Sequence, residues 1–141
     1  MRKRGRKMKF KMNNREWEIV ELSQEEMRQV FKDYKWDGEP KEGRYFGLTY
    51  FDCQKIYIDK DLCMGQKIQT LAHELMHCYI GSYISNSSLK TYTEEDLCDI
   101  CANSYLMIDN IIFDFYDCKN GNKQSVGVLE AENKEKIDDE K

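Results

Sequence analysis

The chain carries two histidines, and both fall in one pentapeptide, His73-Glu74-Leu75-Met76-His77. Four residues apart on a helix, two imidazoles lie one turn apart on the same side, so both can reach a single cation. Glu74 sits about 100° around the helix from His73, outside the metal's own coordination shell. There its carboxylate can take the proton of a metal-bound water as a general base. This is the H-E-x-x-H pattern, in which two imidazoles hold zinc and the glutamate serves a hydrolytic reaction.

The elements around the motif have to position it. From Met64 to Ile80, the residues Ile68, Leu71, Ala72, Leu75 and Tyr79 recur at helical spacing and predict a helix with an apolar stripe toward a core. His73 and His77 project from the side roughly opposite. A catalytic zinc uses three protein ligands and leaves a fourth position for water. With no third histidine, the third ligand has to be a carboxylate or a thiolate. Gly81 to Lys90, rich in Ser and Asn, reads as a loop. Beyond it, Thr93 followed by Asp96 marks the start of a second helix running to about Tyr116. Glu95, Asp99, Ala102 and Leu106 share one stripe of that helix. If this stripe faces the zinc helix, Glu95 is the third ligand, and Asp99 accepts a hydrogen bond from the free ring nitrogen of a ligating histidine. Glu94 and Asp96 are the competing carboxylates, each turned about 100° from Glu95 and suited to a helix start without any metal.

The segment Thr70 to His77, then Glu95-x-x-x-Asp99 and the run Ala102-Asn103-Ser104-Tyr105-Leu106-Met107, resembles the ImmA/IrrE family of metallopeptidases, closest to the small members carried by phages and mobile elements. The resemblance covers about residues 14 to 112, and Glu95 is the position that matches the family's third ligand. Leu106-Met107-Ile108 stands where many members have Leu-Leu-Met-Pro. The resemblance implies a gluzincin-like α+β fold, with a small antiparallel sheet packed beside the zinc helix and a second ligand-bearing helix. It also implies Zn2+ as cofactor and action in the cytosol on a protein substrate, with a repressor-type transcriptional regulator as the substrate class.

The region before the motif reads independently as suited to that architecture. Asn14 to Leu22 suits a strand, and Ser23 with Glu26 opens a capped helix carrying Met27, Val30, Phe31 and Tyr34. Gly38 to Gly43 breaks the pattern. Tyr45 to Tyr50 and Lys55 to Ile58 then read as a hairpin turning at Phe51 to Gln54. A hairpin beside the cleft would offer an edge for an extended substrate, or would simply cover the core. The oxyanion formed by attack on a peptide carbonyl needs a donor, for which Tyr45, Tyr50, Tyr79 and Tyr105 are candidates.

At 141 residues with 40% hydrophobic content and no repeat, the chain suits one domain, placed at 13–117. Arg2, Lys3, Arg4, Arg6, Lys7, Lys9 and Lys11 make residues 1–12 a basic, solvated, mobile terminus, with no apolar run to form a signal peptide or membrane anchor. Residues 118–141, polar and acidic around Val126 to Leu129, read as disordered. A net charge of −4 argues against a general nucleic-acid binder. Six cysteines without a secretion signal indicate reduced thiols in a cytoplasmic protein, and Cys98-x-x-Cys101 reads as ordinary buried or surface cysteine because no second C-x-x-C or third histidine completes a tetrad. Two functions from different classes are consistent with these residues. One is a zinc endopeptidase. The other is a phage-encoded inhibitor or antirepressor that works by binding a partner, its zinc only structural.

Overall fold

A computed structural model describes residues 5–33, 44–84 and 91–117. The Gly38 to Gly43 breaker, the loop's 85–90 portion, Tyr34, Cys118 and the 118–141 tail lie outside the described residues. The elements in chain order are β1 (Lys7–Met12), β2 (Arg15–Leu22), α1 (Gln24–Asp33), β3 (Gly47–Tyr50), β4 (Lys55–Asp59), α2 (Met64–Tyr79), a π-helical turn (Ile80–Ile84) and α3 (Glu94–Asp117). This is an α+β arrangement of three helices and one four-stranded sheet of order β1-β2-β4-β3.

The sheet is mixed where an antiparallel one is expected. β1–β2 and β3–β4 are antiparallel hairpins, but the two hairpins join through the parallel pair β2–β4, in register from Glu18 opposite Lys55 to Leu22 opposite Asp59. Parallel neighbours need a crossover connection, and the chain from α1 through β3, which turns back into β4, supplies it. The capping box expected for α1 is present: Ser23 N–H donates to Glu26 Oε1 at 2.8 Å, and Glu26 N–H donates to Ser23 Oγ at 3.2 Å.

For residues 7–12, β1 replaces the expected mobile terminus with a strand; residues 1–4 lie outside the described residues. Lys-Met-Lys-Phe-Lys-Met alternates with a period of two, and Asn13 and Asn14, both at positive φ (51° and 66°), turn the chain into β2. The lysines are strand residues with cross-strand carboxylates: Lys9 lies opposite Glu18 and Lys11 opposite Glu16. Arg6 is also structural. Its guanidinium donates to the carbonyls of Phe115 (3.2 Å) and Tyr116 (2.9 Å), placing a cation at the C-terminal end of α3 where carbonyls lack helical partners.

One core joins the layers. Trp17, Ile19, Ile56 and Ile58 from the sheet pack with Leu71, Leu75 and Cys78 of α2 and with Ile108, Ile111, Ile112 and Phe115 of α3. Burial among these side chains pushes the Cys78 thiol well above its ordinary pKa, so it stays protonated and acts as a small apolar group. The α2 N-terminal half is tied to the sheet by Lys67, whose Nζ lies 3.1 Å from Glu21 Oε2 on β2. Asn13, at the β1–β2 turn, is tied to the π-helical turn: its N–H donates to the Tyr83 hydroxyl and its Nδ2 to the Ser82 carbonyl, both at 2.7 Å. No described helix is long and apolar enough to cross a membrane.

Candidate functional site

Helix α2 presents three kinds of face. Leu71, Leu75 and Cys78 enter the core, Thr70 and Glu74 are buried toward β3, and His73 and His77 are exposed. Ile68, expected in the core stripe, is 40% exposed instead. The helix is rolled so that its buried arc extends through Thr70 and Glu74 to the edge strand, which leaves Ile68 outside. The imidazoles stand side by side, with ring centroids 4.9 Å apart and planes at 81°. Two neighbouring nitrogen donors on one helical face fit the first half of a zinc site.

Glu74 is only 7% exposed, unusual for a carboxylate. It is satisfied from the sheet: the Thr49 hydroxyl of β3 donates to Glu74 Oε1. β3 is an edge of the sheet and runs past α2, and between them opens a cleft of about 640 Å³. Gly47 and Thr49 line one wall, and Gln69, Thr70, His73 and Glu74 line the other. The hairpin therefore borders the motif, as one of the two sequence readings required. Asp59, at the end of β4, anchors the approach to this wall by accepting hydrogen bonds from Arg44 Nε at 2.6 Å and Gln24 Nε2 at 2.9 Å.

Glu95 and Asp99 are not brought to the histidines. Among the described residues, no group of three His, Cys, Asp or Glu side chains could hold a metal. The second helix starts where expected, with Asp96 N–H donating to Thr93 Oγ1 and Thr93 N–H to Asp96 Oδ2, each at 3.1 Å. It packs by a different face, however. Ile100, Ser104, Ile108, Ile111 and Phe115 are buried, whereas Glu95, Asp99, Ala102 and Leu106 lie roughly opposite and are exposed, Leu106 to 61%. The isoleucine-rich stripe contributes far more apolar area than one made of two carboxylates, an alanine and a leucine, so it determines the rotation of the helix. Asp96 closes the capping box with Thr93, the N-cap, and Glu94 is an exposed first-turn carboxylate, favourable at the positive end of the helix dipole.

Of the four tyrosines considered as oxyanion donors, Tyr45 and Tyr50 are buried in the cleft wall. Tyr79 packs against Tyr83 with ring centroids 4.9 Å apart, and Tyr105 is exposed on α3. Cys53, Cys63, Cys98 and Cys101 are free and exposed.

Sequence reasoning missed Thr49 and Gly47. Nothing marks a threonine in a strand as a partner for a distant glutamate. Gly47 did carry a signal, because an isolated glycine inside an aromatic strand often marks a close backbone approach. No family model, curated protein or solved structure matches this chain.

Proposed function

We propose that the chain is a zinc-dependent endopeptidase of the kind the ImmA/IrrE resemblance implies. It hydrolyses a bond in a specific cytoplasmic protein, with a repressor-type regulator as the substrate class that the resemblance carries. The observation that supports this most is the setting of Glu74, a buried carboxylate in the wall of a cleft, between two adjacent histidines and opposite an edge strand. Two histidines serving only to brace the fold would gain nothing from it.

His73 and His77 would supply two of the three protein ligands that a catalytic zinc uses, through one ring nitrogen each, and among the described residues no third lies beside them. Zinc, when bound, supplies a Lewis acid that makes a coordinated water acidic and polarises a carbonyl. Glu74 takes the proton of the attacking water and returns it to the departing amine. β3 offers main-chain donors and acceptors along its outer edge, so an extended segment can add there as a further strand, which brings its peptide bonds past Glu74. Thr70 and Leu71, buried below, keep the helix from rotating the three motif side chains away.

The partner-binding reading draws on a separate observation. Leu97, Tyr105 and Leu106 are each at least half exposed on α3, apolar surface of the sort that a protein partner covers. Comparing wild type with Glu74→Gln decides between the two. Under the peptidase reading both proteins carry about one zinc, and only wild type shortens a protein in the proteome of cells that express it. A Glu74→Gln protein that keeps the full cellular effect would leave the inhibitor or antirepressor reading in place.

A further inference from the structure

Glu74 is held from the sheet and not from its own helix. The Thr49 hydroxyl donates to its Oε1. Two residues earlier, on the same face of β3, Gly47 leaves room for the rest of the side chain. A β-carbon at Gly47 would lie 2.8 Å from Thr70 Cγ2 and 3.0 Å from both Cγ and Oε2 of Glu74. One carboxylate oxygen is therefore bonded to the strand, and the other lies against strand backbone where no side chain fits. A glutamate has three side-chain torsions, and its freedom is lost only when something outside its own helix fixes the far end. Here a single short strand does so from two positions.

We propose that Thr49 is a positioning residue for Glu74, and that Gly47 is kept free of a side chain so that the carboxylate reaches it. The strand that would receive an extended substrate is then also the strand that aims the proton acceptor, and both depend on one segment, Gly47–Tyr50. This inference rests on the peptidase reading for its catalytic meaning, but the pairing itself does not.

Two measurements on the full chain test it. In urea denaturation of the metal-free protein, Thr49→Val, Glu74→Leu and the double variant form a cycle. The expected result is non-additivity: once Glu74 is gone, adding Thr49→Val shifts the midpoint no further. Thr49→Ser, which keeps the hydroxyl, stays close to wild type. In zinc-loaded protein acting on a mixture of internally quenched peptides, Thr49→Val lowers kcat about tenfold while KM and zinc content stay unchanged, and Thr49→Ser restores kcat to within about twofold. Additive midpoint shifts, or a Thr49→Val protein with wild-type kcat, overturn the proposal. If no variant, wild type included, cleaves any peptide, the peptidase reading is what has failed, and the denaturation cycle alone still decides whether Thr49 holds Glu74.

Discussion

The Ser104 hydroxyl, fully buried, donates toward Met76 Sδ at 3.9 Å, which puts the middle of α3 against the turn of α2 that carries His77. At the other end of the same pair of helices, Lys67 Nζ stands 6.0 Å from the centre of the Tyr116 ring. Residue numbers rise along α3 as they fall along α2, so the helices are antiparallel. Glu95 precedes Ser104 by nine residues, a displacement of about 14 Å along the axis at 1.5 Å per residue. That carries it past the C-terminal end of α2, away from both imidazoles.

The exchange of Glu95 for glutamine therefore leaves zinc content at the wild-type level, as does Asp99→Asn, while His73→Ala and His77→Ala each lose the metal. Elemental analysis of the four purified variants, after dialysis against a zinc buffer, checks this. Metal loss in Glu95→Gln alone would show that α3 rotates on loading and would restore Glu95 as the third ligand.

The turn at Asn13-Asn14 gives a second test. Both residues sit at positive φ, where a side chain strains the backbone and glycine does not. Asn14→Gly is expected to raise stability by up to about 1 kcal/mol. Asn13→Ala is expected to lower it by roughly 1–2 kcal/mol, since it keeps the strain and also loses the 2.7 Å bond from Nδ2 to the Ser82 carbonyl. Urea denaturation of the two single variants measures both signs.

What could be read from the sequence follows from how local each cause is. Both capping boxes, the helix bearing His73 and His77 and the β3–β4 hairpin are set by residues within a few positions of each other, and they appear where the spacing puts them. β1 is legible too, in its lysine-apolar alternation and its Asn-Asn turn, but so dense a run of positive charge is equally that of a solvated terminus, and the glutamates that lie across the sheet from Lys9 and Lys11 are not marked by the strand's own residues. The parallel β2–β4 pairing was not legible, because nothing within either strand specifies its neighbour. At the site, His73, Glu74 and His77 are fixed by one helical turn. The rotation of α3, by contrast, is a competition between two stripes, and the apolar content of Ile100, Ile108, Ile111 and Phe115 outweighed the chemically attractive one.

The exposed face of the sheet gives a pH prediction. Glu18 accepts a hydrogen bond from Lys55 Nζ at 2.9 Å, and this bond, with the added field of Lys55, Lys7 and Lys9, holds its carboxyl below the ordinary 4.5 despite partial desolvation. A carboxyl whose folded pKa is depressed contributes stability that is present above its unfolded pKa and lost as pH falls through the folded one. The contribution should therefore fade in the acid range below 4.5 and be absent from the Lys55→Met protein. Titration of the Glu18 side-chain carbon by NMR should give a midpoint under 4.5 in wild type, moving upward in Lys55→Met and in high salt.

The last prediction concerns what keeps β3 in place. Asp59 is fully buried and accepts three hydrogen bonds, from Arg44 Nε at 2.6 Å, Gln24 Nε2 at 2.9 Å and the Asp61 N–H at 2.8 Å. Gln24 pairs directly with Tyr45, accepting from its N–H at 2.9 Å and donating to its carbonyl, and Asp59 joins Gln24 and Arg44 to β4, so the chain entering β3 is tied to both α1 and β4. Asp59→Ala removes the acceptor of Arg44 Nε and of the Asp61 N–H and one of the partners of the Gln24 amide, at roughly 1–3 kcal/mol in total, and unties the segment from β4 while the Gln24–Tyr45 pair remains. Asp59→Asn keeps the shape and one acceptor oxygen and should cost less. Hydrogen exchange followed by mass spectrometry should show residues 44–50 exchanging faster in Asp59→Ala, by more than the global loss of stability accounts for, because the segment then opens on its own. Equal acceleration across the whole sheet would mean that β3 is anchored by its pairing with β4 alone, and that Asp59 stabilises the fold without holding the cleft wall.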